Sequence, residues 1–315
     1  MTAGLSKIVI LGDTGYIGSR LAGAFRAVPG CPPVVGRSAP ALDLTREESS
    51  AALEEIVDPD CAVIVCAAIK KQLGDNPEVF AKNNSIVLNV CHALANRPAR
   101  RVVFFSSAAV YGEDVQHGVI TESTAVQPTS FYGIGKYTAE RLLLRMVGQP
   151  GAERPGSAVL ILRPALVYGP DEPAYYYGPS GFLRMALSQS PITLWGDGQE
   201  LREFLFIDDV VALTTRLTLG DETGVLNVVS GTSYTYAQAL RVISTLTGRE
   251  PVVSSRDRSK GKVDHRFDAA RLFRACPGFA FTTMEEGLRR IAGGRVEAAS
   301  DDPGRAAVAR DAVRT

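Results

Sequence analysis

Lys7-Ile8-Val9-Ile10-Leu11-Gly12-Asp13-Thr14-Gly15-Tyr16-Ile17-Gly18 decides the fold class. The β-branched run from Lys7 to Leu11 reads as a short buried strand, and Ser19 to Ala27 carries the apolar spacing of a helix. The glycines between them make a tight strand-to-helix loop. Such a loop lets the backbone approach a pyrophosphate, whose charge then sits against the unpaired amides of the helix start. Gly12, Thr14, Gly15, Tyr16, Ile17 and Gly18 are therefore candidate cofactor-binding residues. The glycine spacing alone is weak; its place between a strand and a helix gives it meaning.

Working outward, similar apolar runs recur at Pro33–Val35, Ala62–Cys66, Arg101–Phe105 and Ala158–Leu162, with helix-length segments between, most clearly Pro77–Asn96 and Phe131–Val147. This alternation predicts an α/β fold, a doubly wound parallel sheet with helices on both faces. After Arg163 the rhythm breaks into a Pro/Gly/Tyr-rich stretch from Tyr168 to Gly181, the expected entry to a smaller α/β substrate-binding unit. Gly224–Ser230 reads as one more strand returning to the first sheet. The expected division is residues 1–163 plus about 204–231 for the dinucleotide, 164–203 plus about 232–292 for the substrate, and a mobile tail over 293–315.

The second strand should end near the adenosine ribose, where an acid would bond the 2′-hydroxyl of NAD. The sequence there is Val34-Val35-Gly36-Arg37-Ser38. An arginine followed by a hydroxyl suits a 2′-phosphate, so Arg37 and Ser38 tilt the choice between NAD and NADP toward NADP, while Asp43 could touch the adenine edge. The third strand ends at Cys66-Ala67-Ala68, which places Ala67 and Ala68 beside the cofactor, and Asn83 could act as an orienting amide. Val102-Val103-Phe104-Phe105-Ser106-Ser107 brings two hydroxyls to the carboxyl end of a buried strand, where open α/β sheets hold their ligands.

Tyr132 and Lys136 stand four residues apart, on one face if the segment is helical. A free tyrosine titrates near ~10, and a close cation lowers that by roughly 1–3 units, so the pairing reads as a phenol prepared to act as a base.

Composition narrows the partners. The 315 residues carry Lys+Arg 34 and Asp+Glu 34, so no general positive field exists for nucleic acid or an anionic membrane. The five cysteines (Cys31, Cys61, Cys66, Cys91, Cys276) lack CxxC spacing, no apolar run is long enough to span a bilayer, and no signal-peptide layout opens the chain. These point to a cytoplasmic address. His92, His117 and His265 have no metal-ligand spacing, so no metal is expected.

Gly12-x-x-Gly15-x-x-Gly18, Ser106-Ser107-Ala108-Ala109-Val110-Tyr111-Gly112, Tyr132-x-x-x-Lys136, Leu162-Arg163-Pro164 with Val167-Tyr168-Gly169-Pro170, and Gly196-Asp197-Gly198-x-x-x-Arg202 recur together through about residue 292. Jointly they resemble the extended short-chain dehydrogenase/reductases that act on nucleotide sugars. The resemblance implies a Rossmann sheet and an NAD(P)-dependent enzyme. It makes Ser107 the sugar-bonding hydroxyl, Tyr132 the acid/base and Lys136 the holder of the nicotinamide ribose. It places Arg202 on the nucleotide diphosphate. Arg163 is a further candidate for the cofactor set, and Ser106 and Lys70 are candidates for the substrate. The resemblance also implies a homodimer through Pro77–Asn96 and Phe131–Val147, whose apolar residues include Val87, Val90, Leu94, Leu142 and Met146.

The residues after Ser107 divide the reactions within that family. Dehydratases resembling this chain place Asp-Glu there and decarboxylases a glutamate; Ala108-Ala109 supply neither. Apolar residues are similar to those of 4-epimerases. The expected activity is therefore a nucleotide-sugar 4-epimerase. A 4-keto-sugar reductase is the alternative, since it needs the same Ser, Tyr and Lys, and a non-catalytic dinucleotide-binding protein is the remote one. Leu166 stands where many relatives carry asparagine, and Lys70-Lys71 could meet an anionic sugar.

Overall fold

The computed structural model describes residues 4–148, 156–172, 178–258 and 261–300, the last seven as backbone only. Six parallel strands form the central sheet in the order Gly224–Val228, Ala158–Pro164, Arg101–Phe105, Ala62–Val65, Ile8–Leu11, Val34–Arg37. The inner strands are β-branched and wholly buried (Ile-Val-Ile-Leu, Ala-Val-Ile-Val), as a sheet covered on both faces requires. The first strand lies between the second and third, and the crevice at the carboxyl ends there is where such sheets take ligands. Gly224–Val228 pairs with Ala158–Pro164, so the chain does return to the first sheet.

Local chemistry sets the helices. Pro77–Asn96 starts at Asn76, whose side chain accepts from the Val79 amide at 2.9 Å, with proline at the first helical position. Phe131–Met146 starts at Ser130, which accepts from Gly133 N at 3.1 Å. These two helices and Ser49–Ile56 cover one face of the sheet; Tyr16–Ala27, Ile207–Thr218 and Ala270–Ala275 cover the other.

A third core of Phe182, Leu183, Ile192, Phe204, Tyr236, Met284 and Leu288 lies beyond the sheet edge. Its strands pair across long sequence gaps: Ile192–Trp195 with Val253–Arg256, and Leu201–Arg202 with Tyr234–Thr235.

Several expectations change. The run Asp208-Asp209 before Val210 reads in the sequence as a helix N-cap, but the helix begins at Ile207 and both lie in its first turn; Asp209 accepts from Thr282 N at 2.8 Å and its hydroxyl at 2.9 Å. The helix Met284–Ser300 continues past Gly293, and residues 301–315 of the expected tail lie outside the described residues. Val87, Val90 and Leu94 are buried against the sheet, so most of the face assigned to a partner is used within the chain. Among the described residues no helix is long and apolar enough to cross a membrane.

Candidate active site

The glycine loop closes by backbone contact alone. Gly12 has φ 89°, a conformation open to glycine, and a Cβ there would stand 2.7 Å from the Ala67 amide nitrogen. A Cβ on Gly18 would meet the Gly12 carbonyl oxygen at 2.1 Å. The helix Tyr16–Ala27 begins at Gly15 without a side-chain cap, so its first amides remain for an anion. The cleft beside it has a volume of about 1090 Å³ and is lined by Gly12, Thr14, Gly15, Tyr16, Ile17, Gly18, Arg37, Ser38, Asp43, Ala67 and Ala68. Small, close-packed backbone and unpaired amides are what a dinucleotide pyrophosphate needs, and these residues fit that group.

Arg37 is the last residue of its strand and its Nη1 donates to the Gly36 carbonyl at 2.8 Å. Ser38 accepts from Thr14 N at 3.1 Å and donates to Asp13 at 2.5 Å. Asp43 accepts from the amide and hydroxyl of Thr45, at 3.0 and 2.7 Å, which hold its carboxyl below the usual range.

Ser107, Tyr132 and Lys136 meet at the other end of the same cleft. The Ser107 hydroxyl caps the short turn Ala108–Tyr111 by accepting from Ala109 N at 3.1 Å, and it is hydrogen-bonded to the Tyr132 phenol. Lys136 donates to the Phe105 carbonyl at 2.6 Å, with its Nζ 5.7 Å from the Tyr132 ring centre. Burial pushes the phenol up to about 12, against the Ser107 bond that lowers it, and burial brings the lysine down to about 8. The expected acidic tyrosine is therefore not a property of these side chains alone, because desolvation outweighs the Ser107 bond.

Three assigned residues serve the frame of the site instead. Arg163 is 4% exposed and grips Glu140, Nε to Oε1 at 2.9 Å and Nη2 to Oε2 at 2.6 Å, while Nη1 donates to the Tyr111 hydroxyl at 2.8 Å. A guanidinium so held does not reach a cofactor. The Ser106 hydroxyl donates to the same Glu140 carboxylate, which removes it from the substrate set. Asn83 bonds both sides of the Ile69 peptide, at 2.7 and 3.0 Å, and so positions the Ala67–Lys70 loop indirectly. Glu140, one helical turn past Lys136, is the residue the sequence reading missed; its eight-residue spacing from Tyr132 was a signal.

The substrate side holds polar atoms with fewer partners. Arg202 lines the cleft and its Nη1 donates to the Leu201 and Val263 carbonyls at 2.8 and 2.6 Å. His265, absent from the expected site, lines the same wall; its Nε2 has no partner, and burial first, then the Arg202 charge, bring it down to about 4. Lys70 lies 5.3 Å above the Tyr16 ring, with its pKa lowered by burial. Lys71 pairs with Glu113 at 2.5 Å. Glu172 and Glu203 each keep one oxygen without a partner, and burial raises each to about 7. Trp195 is 54% exposed at the cleft. Among the described residues no group of three or more His, Cys, Asp or Glu is placed to hold a metal ion.

The profile of the NAD dependent epimerase/dehydratase family matches residues 8–228. The chain belongs to that family. It is 28% identical over 219 residues to an uncharacterized UDP-glucose epimerase, YtcB, of Bacillus subtilis (strain 168), covering 67% of this chain and 66% of that protein. It is 29% identical over 259 residues to UDP-glucuronic acid decarboxylase 2 of Arabidopsis thaliana, covering 75% and 56%. The match thus spans less than two-thirds of either curated relative. Among solved structures, MoeE5 in complex with UDP-glucuronic acid and NAD is 26% identical, with 92% of this chain and 99% of that one covered and a TM-score of 0.78. The family match and this likeness agree with the Rossmann sheet and with the cleft at its switch point.

Proposed function

We propose that the protein is a nucleotide-sugar 4-epimerase that works by transient hydride removal at a sugar carbinol carbon. The observation that carries this reading is the Ser107–Tyr132 hydroxyl pair at the cleft with Lys136 beneath it and only alanine at positions 108 and 109. Bound at the glycine loop, a nicotinamide dinucleotide would supply the hydride acceptor and, when oxidised, a positive charge that favours the phenolate.

Ser107 holds the sugar hydroxyl oxygen, and Tyr132 takes its proton as the carbon is oxidised. Lys136 would hold the nicotinamide ribose and, freed from the Phe105 carbonyl, stabilise the phenolate. Tyr132 returns the proton when the ketone is reduced on its other face. No carboxylate adjoins Ser107 in the turn Ala108–Tyr111 to drive loss of water or carbon dioxide. Arg202 clamps the diphosphate through the part of its fork not bonded to backbone, and the third core with its ladders forms the substrate unit. Exposed Leu88, Phe131 and Ile134 on the two adjoining helices are covered by a second copy in a homodimer; light scattering showing only monomer at micromolar concentration would reject that part.

The test is mass spectrometry of nucleotide released from the purified protein, with activity measured without added cofactor. Retained NAD and conversion of a UDP-, GDP-, ADP- or dTDP-sugar to its 4-epimer are expected. Exchangeable NADP, with stoichiometric reduction of a 4-keto sugar, would replace the epimerase by the ketoreductase.

A further inference from the structure

The second strand ends without an acid, and Gly36 stands where dinucleotide sites of this topology place the carboxylate that bonds the adenosine ribose. Gly36 has no positive φ, so the backbone does not require glycine there. Space does. A Cβ on Gly36 would lie 1.9 Å from Oδ2 of Asp13, 2.4 Å from its Cγ and 2.8 Å from its Cβ. The Asp13 carboxylate therefore fills the volume in which a strand-end side chain would begin.

The arrangement is fixed from several directions. Gly12 N donates to the Arg37 carbonyl at 2.8 Å, which ties the glycine loop to the end of the second strand. Ser38 donates its hydroxyl to Asp13 Oδ1 at 2.5 Å and accepts from Thr14 N at 3.1 Å, so a loop amide and a strand-end hydroxyl orient the acid. A carboxylate offers about four acceptor sites, so the Ser38 bond leaves capacity for a ligand hydroxyl. Arg37, the residue suited to a 2′-phosphate, is turned back onto the Gly36 carbonyl at 2.8 Å.

We propose that Asp13 is the cofactor-selecting residue: the acid missing from the second strand is supplied by the glycine loop, accepts the ribose 2′-hydroxyl and disfavours a 2′-phosphate, so that NAD is preferred to NADP. The inference rests on the dinucleotide site of the proposed function, but not on which sugar is turned over. It also explains why Gly36 and Asp13 occur together, since a side chain at one position excludes the other.

Binding of NAD and NADP to cofactor-free protein, measured by calorimetry for wild type, Asp13→Asn, Asp13→Ala and the double variant Asp13→Gly/Gly36→Asp, tests this. Wild type should bind NAD more tightly. Asp13→Asn, nearly the same size, should reduce the NAD-to-NADP preference by about ten- to a hundredfold, the scale of one charged hydrogen bond. In the double variant the glycine at position 13 removes the Cβ that would stand 2.8 Å away as well as the carboxylate, which admits a side chain at position 36, and the relocated acid should restore the preference. An NADP-preferring wild type, or an unchanged ratio in Asp13→Asn, overturns the proposal. Failure of wild type to bind either dinucleotide removes the cofactor reading itself, a result distinct from an unchanged ratio. If Asp13→Ala does not fold, the Asn variant still decides.

Discussion

Two buried carboxylates, Glu140 behind the Ser107–Tyr132–Lys136 cluster and Glu203 on the cleft wall, are built differently. Glu140, on the inner face of the helix Phe131–Met146, receives two bonds from Arg163 and one from Ser106, and Arg163 is itself bonded to Tyr111. Glu203, on the substrate side, takes backbone donors from Ser230 and Gly231 on Oε1 and leaves Oε2 without a partner. Glu172 Oε2 and His265 Nε2 share that condition. Buried polar groups are ordinarily satisfied, so the Glu140 carboxylate is complete as folded, whereas Glu172, Glu203 and His265 on the cleft wall keep atoms that a ligand would satisfy.

The comparison is broken most severely at Glu140. Removing one partner of a buried ion pair leaves an uncompensated charge, so Glu140→Ala should lower unfolding stability by about 3–5 kcal/mol in denaturant titration. A loss below ~1 kcal/mol would show that the network does not hold the catalytic helix to the sheet. Tyr132→Phe should leave fold and dinucleotide binding intact while lowering turnover by at least ~10²-fold, the scale of one positioned acid/base. Near wild-type turnover would remove Tyr132 from the mechanism.

The same contrast decided what the sequence revealed. The parallel strands and the helices Pro77–Asn96 and Phe131–Met146 were legible because each carries its own periodicity and start signal: Asn76 before Pro77, Ser130 before Phe131. Tyr132 and Lys136 stood out because they are four residues apart, and Ser107 because it follows an apolar strand run. Glu140 was missed because its meaning lies in Arg163, distant in sequence, and Arg163 was misassigned for the same reason. Asp13 was passed over because its role depends on contact with a strand twenty residues on. The third core has strands of two to four residues paired across long gaps, as in Leu201–Arg202 with Tyr234–Thr235, too short for any period to show.

Smaller effects sharpen the contrast on the substrate side. Arg202→Ala should weaken binding of the preferred nucleotide sugar by roughly 1.5–3 kcal/mol, about ten- to a hundredfold, without changing cofactor affinity. Equal calorimetric binding by wild type and variant would remove the main local support for a nucleotide-diphosphate ligand.

Glu203 gives the smallest signal, through pH. Burial raises its folded pKa from 4.5 to about 7, so the folded chain holds a proton that the unfolded chain has released across that window. Its contribution therefore favours the folded state below pH ~4.5 and is lost progressively as pH rises through about 7. Glu203→Gln should gain progressively on wild type as pH rises from 5 to 8. Parallel stability curves for the two proteins would place Glu203 in a better-solvated setting.

The central claim is that a sugar carbinol carbon loses its hydride and regains the same one. Incubation of the purified protein, without added cofactor, with nucleotide sugars deuterated at C4 and analysis of the products by NMR tests it most directly. The account predicts a 4-epimer that retains deuterium at C4, and no such product from Tyr132→Phe. A 4-epimer whose C4 deuterium has exchanged with solvent, or equal epimer formation by the Tyr132 variant, would contradict it.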